Sequence, residues 1–274
     1  MKTKTLTILF LILTFSIRAQ EKGSTIYFNI GSGMHSLSYS TPYAASKGTF
    51  GFTINGGYNY YLGKNLGISL GIGINSFGST GELNGLMTSA AVDIEGTNYE
   101  HRNYLTHWTE KQTGYMLGIP FGLIYRTNLV KKAGLSATVG VKYLIPVKAK
   151  YIVTGGDLVS TGYYGQWNLE LENLPQYGFP TLNNKPSGEV KLQSGLSLYA
   201  DLGITYSLAD RRSLFIGGYL DYGMTNIARS QETLPFGSKG VYTSILTVSG
   251  TVDKIIPVSF GIKVGLSLGI LNKQ

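Results

Sequence analysis

The stretch from Ile256 to Ile270, IPVSFGIKVGLSLGI, alternates large apolar residues with small or polar ones along its length. Because successive side chains of a β-strand point to opposite faces, this period of two predicts a strand with one apolar face. Seven further stretches follow the same rule, so we expect seven more strands, near residues 24–36, 49–62, 66–77, 110–127, 133–151, 189–208 and 213–225. The chain is therefore predicted to be all β.

The amino-acid composition excludes several classes of protein. The 274 residues are 43% hydrophobic and 14% charged, with 37 glycines, 20 tyrosines and no cysteine. The apolar fraction is too high for a disordered chain. The lack of cysteine excludes a disulfide framework, a zinc–thiolate site and a cysteine nucleophile. No run of about 18 apolar residues, as a transmembrane helix needs, occurs beyond the N-terminus.

The first 19 residues have the pattern of a cleavable secretory signal. Lys2 and Lys4 precede a short apolar core, and Ala19 is a small residue at the expected cut. We expect residues 1–19 to be removed and residues 20–274 to form one β-barrel domain; an uncleaved anchor is the alternative. Cleavage leaves 20 basic against 15 acidic residues, because three of the 23 lie in the signal. This excess of five is spread along the chain, so we expect no nucleic-acid partner.

The apolar strand face could fill a soluble core or contact lipid, and two features favour lipid. The opposite face is mostly glycine and serine, which suits the narrow interior of an eight-stranded barrel. The connections also alternate in length, as they do in membrane barrels with short periplasmic turns and long outer loops. The short ones lie at residues 63–65, 128–132 and 209–212. A secreted lipocalin-like or sandwich protein is the alternative.

Three tyrosines strengthen the membrane interpretation. Tyr60, Tyr125 and Tyr206 each lie on the apolar face just before a short turn. A tyrosine at a membrane boundary can keep its ring in lipid and its hydroxyl in water. We therefore predict that these residues form an aromatic girdle at the short-turn end.

Four charged residues fall on the opposite face from the apolar residues. A lipid-facing lysine or arginine at mid-depth costs about 2–4 kcal/mol, so charges are expected inside the barrel. Lys142, Asp201, Asp221 and Lys263 lie at comparable heights on consecutive predicted strands. Two bases and two acids predict a neutral salt-bridge layer that closes the lumen, with pairing offsetting the desolvation cost. A gate or a proton path is the alternative.

Several segments resemble the small outer-membrane β-barrel family related to the OmpA transmembrane domain and OmpX, a porin-type family. They are Leu117–Arg126 (LGIPFGLIYR), Gly217–Asn226 (GGYLDYGMTN) and the closing strand. The closing strand is also similar to the signal read by the barrel-assembly machinery, at Lys263, Gly265, Leu268 and Ile270, although the usual terminal aromatic is missing. The resemblance implies an outer-membrane barrel that is assembled by this machinery.

Two long predicted outer loops, at residues 78–109 and 152–188, exceed the usual length of unstructured connections, about 12–15 residues. Aromatic residues in such loops often mark binding surfaces. The candidates for contacting a ligand are Trp108, Tyr163, Tyr164 and Trp167. The alternative is that the strands continue past the membrane and these rings pack against the extended wall.

The three histidines match no catalytic pattern. His35, His101 and His107 lie at predicted loops or strand ends, where we expect solvated side chains. We therefore predict no catalytic residue, no cofactor and no metal site, with a His/Glu metal site in the second loop as the alternative.

Together these patterns predict a monomeric, transmembrane, antiparallel up-and-down barrel of eight strands with both termini in the periplasm. Ten strands would form if residues 87–95 and a second loop segment were inserted. The expected role is structural or surface-interacting, in contact with outer-membrane lipid and lipopolysaccharide, and with an extracellular ligand or an envelope protein as a further partner. A small-solute channel is the main alternative, and a barrel enzyme or an accessory subunit of a secretion or transport assembly is another.

Overall fold

A computed structural model of the chain describes residues 23–39, 46–179, 185–209, 211–229, 242–247, 252 and 254–270. The expected signal peptide, residues 1–19, lies outside this part. The strands are β1 (Ser24–Ser38), β2 (Ser46–Tyr61), β3 (Leu66–Val92), β4 (Asn98–Val130), β5 (Ala133–Tyr164), β6 (Leu169–Glu172), β7 (Ser187–Glu189), β8 (Gly195–Ala209), β9 (Arg212–Gly223) and β10 (Ile256–Ile270). Short 3₁₀ helices lie at Pro175–Tyr177 and Ile245–Thr247. In the described residues, no helix has the length and apolarity needed to cross a membrane.

Eight of the strands close into an antiparallel ring. β1 to β5 pair in chain order, β5 pairs with β8, and β8 to β10 lead back to β1. The ring closes where Ser24 lies opposite Ile270. β6 and β7 add only short pairings to β5. The predicted eight-stranded barrel is confirmed, and the ten-stranded alternative is wrong because residues 87–92 continue β3 and pair with β4.

The two faces of the wall differ as the alternation predicts. Large apolar side chains are exposed on the outside of every ring strand, among them Phe28, Ile72, Leu202 and Ile262. Small polar side chains are buried on the inside, among them Thr53, Asn75, Ser197 and Ser259. An exposed apolar belt around a closed ring matches the surface of a transmembrane barrel, in which each backbone group is paired within the wall.

Three strands extend far beyond this belt and form what we call the outer extension: β3 from residue 78, β4 up to residue 109 and β5 from residue 152. The alternative, that the strands continue past the membrane, is confirmed here and the loop interpretation is wrong, because the β3–β4 and β4–β5 pairings continue through these parts. The β3–β4 hairpin turns at Asp93, whose carboxylate accepts the backbone N–H groups of Glu95 and Thr97, both at 2.9 Å. Bulges in β3 and β4 interrupt the pairing near His107, where φ is +49°.

Candidate functional site

The four predicted inner charges form two ion pairs across the lumen. Lys142 Nζ on β5 lies 2.8 Å from both carboxylate oxygens of Asp221 on β9. The side chains of Lys142 and Asp221 are only 3% and 7% exposed. Lys263 on β10 pairs with Asp201 on β8. Each pair bridges strands that have another strand between them, so the contacts cross the barrel interior.

Aromatic side chains share this level of the lumen. His35 Nε2 lies 2.6 Å from the Tyr219 hydroxyl, and His35 Nδ1 lies 2.6 Å from the Ser76 carbonyl oxygen. If Nδ1 donates to that carbonyl, Nε2 accepts from the tyrosine. The ammonium groups of Lys142 and Lys263 lie 5.5 and 5.0 Å from the ring centres of Tyr199 and Tyr219. The alternation predicts an inner face of mostly glycine and serine, and these tyrosines were missed. Their only sign in the sequence is their position in the alternation, which puts Tyr199 and Tyr219 on the same strand faces as Asp201 and Asp221.

On the outer side of the charged layer, the lumen is filled by apolar side chains. Inward residues of the wall, including Phe77, Met116 and Leu144, pack together there. They enclose side chains from the connection between β9 and β10, namely Ile227, Ile245, Leu246, Val252 and Ile255, all of them fully buried. We call this group the outer core. No alternation or motif in this connection predicts that it turns inward.

A buried carboxylate holds that connection in place. Glu110 on β4 is fully buried. Its oxygens accept from the Tyr242 hydroxyl at 2.7 Å, the Ser244 hydroxyl at 2.5 Å and the Ile245 backbone N–H at 3.3 Å. Gln112 Nε2 donates to it at 3.0 Å. These donors supply the hydrogen bonds that a buried carboxylate needs.

The candidate ligand-binding aromatics have different surroundings. Trp108 is only 3% exposed and donates its Nε1–H to the Tyr242 hydroxyl at 2.8 Å. Tyr164 is also buried, and Tyr163 is half-buried beneath the guanidinium of Arg102, 3.9 Å from its ring centre. Trp167 is 62% exposed. Trp108 and Tyr164 therefore pack against the inside of the extended wall, as the alternative interpretation of these aromatics predicts. Ligand contact by Tyr163 and Trp167 stays a prediction.

The tip of the outer extension has a small core and an ionic network of its own. Tyr99, Tyr164 and Phe179 pack together, with 5.5 Å between the ring centres of the two tyrosines. Beside them, Arg102 forms ion pairs with Glu100 at 2.6 Å and Glu170 at 2.9 Å. Hydrogen bonds from Thr161 and Tyr104, together with the charge of Arg102, hold the pKa of Glu170 below its usual value.

Two of the three histidines contradict the expectation of solvated loop residues. His35 and His101 are buried on the inner wall, because the strands continue through both positions. His101 Nε2 lies 2.7 Å from Ser160 Oγ, and burial lowers the pKa of His101 to about 4. His107 is exposed and lies 2.7 Å from Glu82. The described residues contain no group of three or more histidine and acidic side chains that could hold a metal ion.

The three girdle tyrosines lie at one end of the barrel. Tyr125 pairs with Leu66 and Tyr206 pairs with Ala133, each next to a short turn. Tyr60 lies opposite Ser24, at the start of β1. Tyr125 and Tyr206 are exposed and Tyr60 is half-buried. Their role as a membrane boundary remains a prediction.

A polar cavity of about 740 Å³ occupies the lumen between the charged layer and the short-turn end of the barrel. Its walls carry mainly hydroxyl and amide side chains, and its inner limit includes Tyr27, Tyr199 and the Lys263–Asp201 pair. Lys64 and Arg126, which lie next to a short turn, also line it. We call it the short-turn cavity.

No family model and no curated protein matches the chain. Several solved outer-membrane barrels are similar to it in structure. OprG from Pseudomonas aeruginosa is 13% identical with a TM-score of 0.37, and the match covers 92% of this chain and 98% of that one. Neisserial surface protein A is 9% identical with a TM-score of 0.36, over 90% and 96%. Ail of Yersinia pestis is 12% identical with a TM-score of 0.32, over 92% and 100%. Because these identities and TM-scores are low, the assignment of a membrane barrel rests on the strand pairing and the apolar belt of the chain itself.

Proposed function

We propose that this protein is an outer-membrane barrel that does not conduct and that acts through its outer extension. The outer core carries this proposal, because a pore would have to pass through fully buried side chains such as Ile245 and Leu246. The Lys142–Asp221 and Lys263–Asp201 pairs add a second layer across the same path. Buried and paired charges of this kind stay fixed rather than hydrated.

The outer extension supports a role in surface interaction. From Tyr115 at the edge of the belt to Asn98 at the start of β4, the strand spans roughly 55 Å at about 3.3 Å per residue. Such a wall exceeds what membrane spanning requires, and a core and an ion network order its tip. Trp167 is the exposed aromatic that we propose for contact with an extracellular ligand or an envelope protein.

Lipopolysaccharide is the lipid partner that we propose for the outer face. Lys111, Lys148 and Lys150 are exposed on β4 and β5, and the pairing of Tyr115 with Lys148 places them at the outer edge of the belt. Among the described residues, none of the three forms an ion pair. Unpaired lysines at head-group height suit the phosphates of an anionic lipid. Export by a cleaved signal at residues 1–19 and insertion by the barrel-assembly machinery complete this proposal.

Single-channel recording tests the closed lumen. The mature protein would be refolded, checked by a heat-dependent gel shift and inserted into planar bilayers. We expect no steady conductance from the wild type. Steady conductance that changes in Asp221→Ala would overturn the proposal and make transport through the lumen the leading function.

Surface labelling tests the orientation of the barrel. Because the chain has no cysteine, a single introduced cysteine reports one position. Trp167→Cys should react with a membrane-impermeant maleimide on intact cells, whereas Lys131→Cys, in the turn between β4 and β5, should react only after the outer membrane is permeabilised. The reverse pattern would place the extension in the periplasm and contradict the surface role.

A further inference from the structure

The short-turn cavity has an excess of positive charge, and this excess lies near its mouth. Of the five charged side chains that line it, four are basic and one, Asp201, is acidic. The two deep lysines are neutralised, Lys263 by Asp201 and Lys142 by Asp221, which lies in the lumen but does not line the cavity. Lys64 and Arg126, close to the short turns, have no acidic partner among the described residues.

The guanidinium of Arg126 is held in one position. Its centre lies 3.6 Å from the ring centre of Tyr61, and its Nε donates to the Lys64 carbonyl oxygen at 3.2 Å. The Arg126 backbone is also fixed, since its N–H donates to the Asn65 carbonyl oxygen at 2.7 Å and its own carbonyl oxygen accepts from Asn65 Nδ2 at 2.8 Å. An ordered guanidinium with free N–H groups is suited to a carboxylate or a phosphate.

Behind this cation the wall offers unused hydrogen-bonding groups. Thr138, Ser207, Ser213 and Ser267 line the cavity, and their hydroxyls have no hydrogen bond within the described residues. The volume falls within the range of small-molecule sites, about 300–1,000 Å³. An apolar ligand would leave these hydroxyls and amides without partners, which is unfavourable. A ligand rich in hydroxyl groups would satisfy them.

We propose that the short-turn cavity binds a small anionic carbohydrate, with its carboxylate or phosphate at Arg126 and Lys64 and its hydroxyls against the serine and threonine wall. The site opens at the short-turn end, which the proposed orientation places in the periplasm. This inference goes beyond the proposed surface role, because it assigns binding to the opposite end of the molecule and holds whether or not the lumen conducts.

Calorimetry on the folded protein in detergent tests the site with four probes: glucose 1-phosphate, glucuronate, glucose and inorganic phosphate. We expect the two charged sugars to bind at least about tenfold more tightly than glucose or inorganic phosphate, a difference that one added charged contact or a set of hydroxyl contacts supplies. If only one charged sugar binds in this way, its anionic group identifies the source of the ligand as phosphorylated or carboxylated.

Variants distinguish binding in the cavity from a general attraction of anions to the basic rim of the barrel. Arg126→Gln and Lys64→Gln should each weaken binding about tenfold. Arg212→Gln, a rim cation outside the cavity, should leave binding unchanged. The Lys64 side chain is exposed and forms no hydrogen bond or ion pair with the described residues, so that variant tests the site even if Arg126→Gln fails to fold. The absence of binding, equal binding of inorganic phosphate and sugar phosphate, or equal losses in Arg212→Gln would each overturn the proposal.

Discussion

The two halves of the lumen have the same alternating strands as walls but different contents. The short-turn half holds the polar cavity, whose inner limit includes the Lys263–Asp201 pair. The outer half is filled by apolar side chains, several of them from the connection between β9 and β10. The alternation of a strand therefore decides which residues face inward, while the connections decide whether that space is filled.

The largest expected loss of stability comes from the charged layer between the two halves of the lumen. Asp221→Ala should lower the free energy of unfolding by about 3–5 kcal/mol, because it leaves Lys142 charged and unpaired in a buried position. Urea unfolding in lipid vesicles measures this loss. The double variant Lys142→Met/Asp221→Leu should lose less than the single variant, since it removes both charges.

Asp201 provides the matched comparison on the cavity side. Its side chain is 15% exposed and lines the cavity, whereas that of Asp221 is 7% exposed and does not, so the space left by Asp201 opens to the cavity and can fill with water. Asp201→Ala should therefore cost clearly less than Asp221→Ala. Equal losses from the two variants would show that the two halves do not differ in hydration at this level.

The next effect tests the anchor of the outer core. Glu110→Gln keeps the size of the side chain but removes its charge and one acceptor, so we expect a loss of about 1.5–3 kcal/mol, as for a hydrogen bond to a charged group. Amide hydrogen exchange at Ile245 and Leu246 should accelerate, because Glu110 holds this segment. Glu82→Gln, on the exposed outer face, is the control and should change neither quantity. Unchanged exchange in Glu110→Gln would show that apolar packing alone holds the connection.

A smaller effect should appear on acidification of the outer extension. Burial lowers the pKa of His101 to about 4, below its unfolded value of 6.5, so its neutral form stabilises the fold. This stability is complete above the unfolded pKa and is lost as pH falls from 6.5 towards 4. At pH 5 the loss is about 2 kcal/mol. Limited proteolysis at pH 7 and pH 5 measures it, and His101→Gln should remove the pH difference whereas His107→Gln should not. A pH difference that persists in His101→Gln would assign the effect to another group.

Strand alternation predicts the barrel well, because lipid outside and a narrow interior inside impose one rule on every strand. Parity alone placed Lys142, Asp201, Asp221 and Lys263 on the inner face. The pairing of these charges across intervening strands could not be read from the sequence, since it depends on how the closed barrel aligns its strands. The outer core was missed for a similar reason: the segment around Ile245 has no strand alternation and is positioned by distant residues such as Glu110.

The smallest expected effect concerns the two tryptophans of the chain, Trp108 and Trp167. From the sequence, both are candidates for contacting a ligand. Trp108→Phe should cost about 1 kcal/mol, because it removes the hydrogen bond to the Tyr242 hydroxyl and leaves the ring packing largely intact. Trp167→Phe should leave the free energy of unfolding unchanged, since that side chain lies on the surface. Because each variant keeps only one tryptophan, its fluorescence also reports that residue alone. The emission of Trp167→Phe, from Trp108, should be blue-shifted and resist a soluble quencher, whereas that of Trp108→Phe should be red-shifted and readily quenched. Equal quenching in the two variants would mean that water reaches Trp108, and the outer half of the lumen would then resemble the short-turn half.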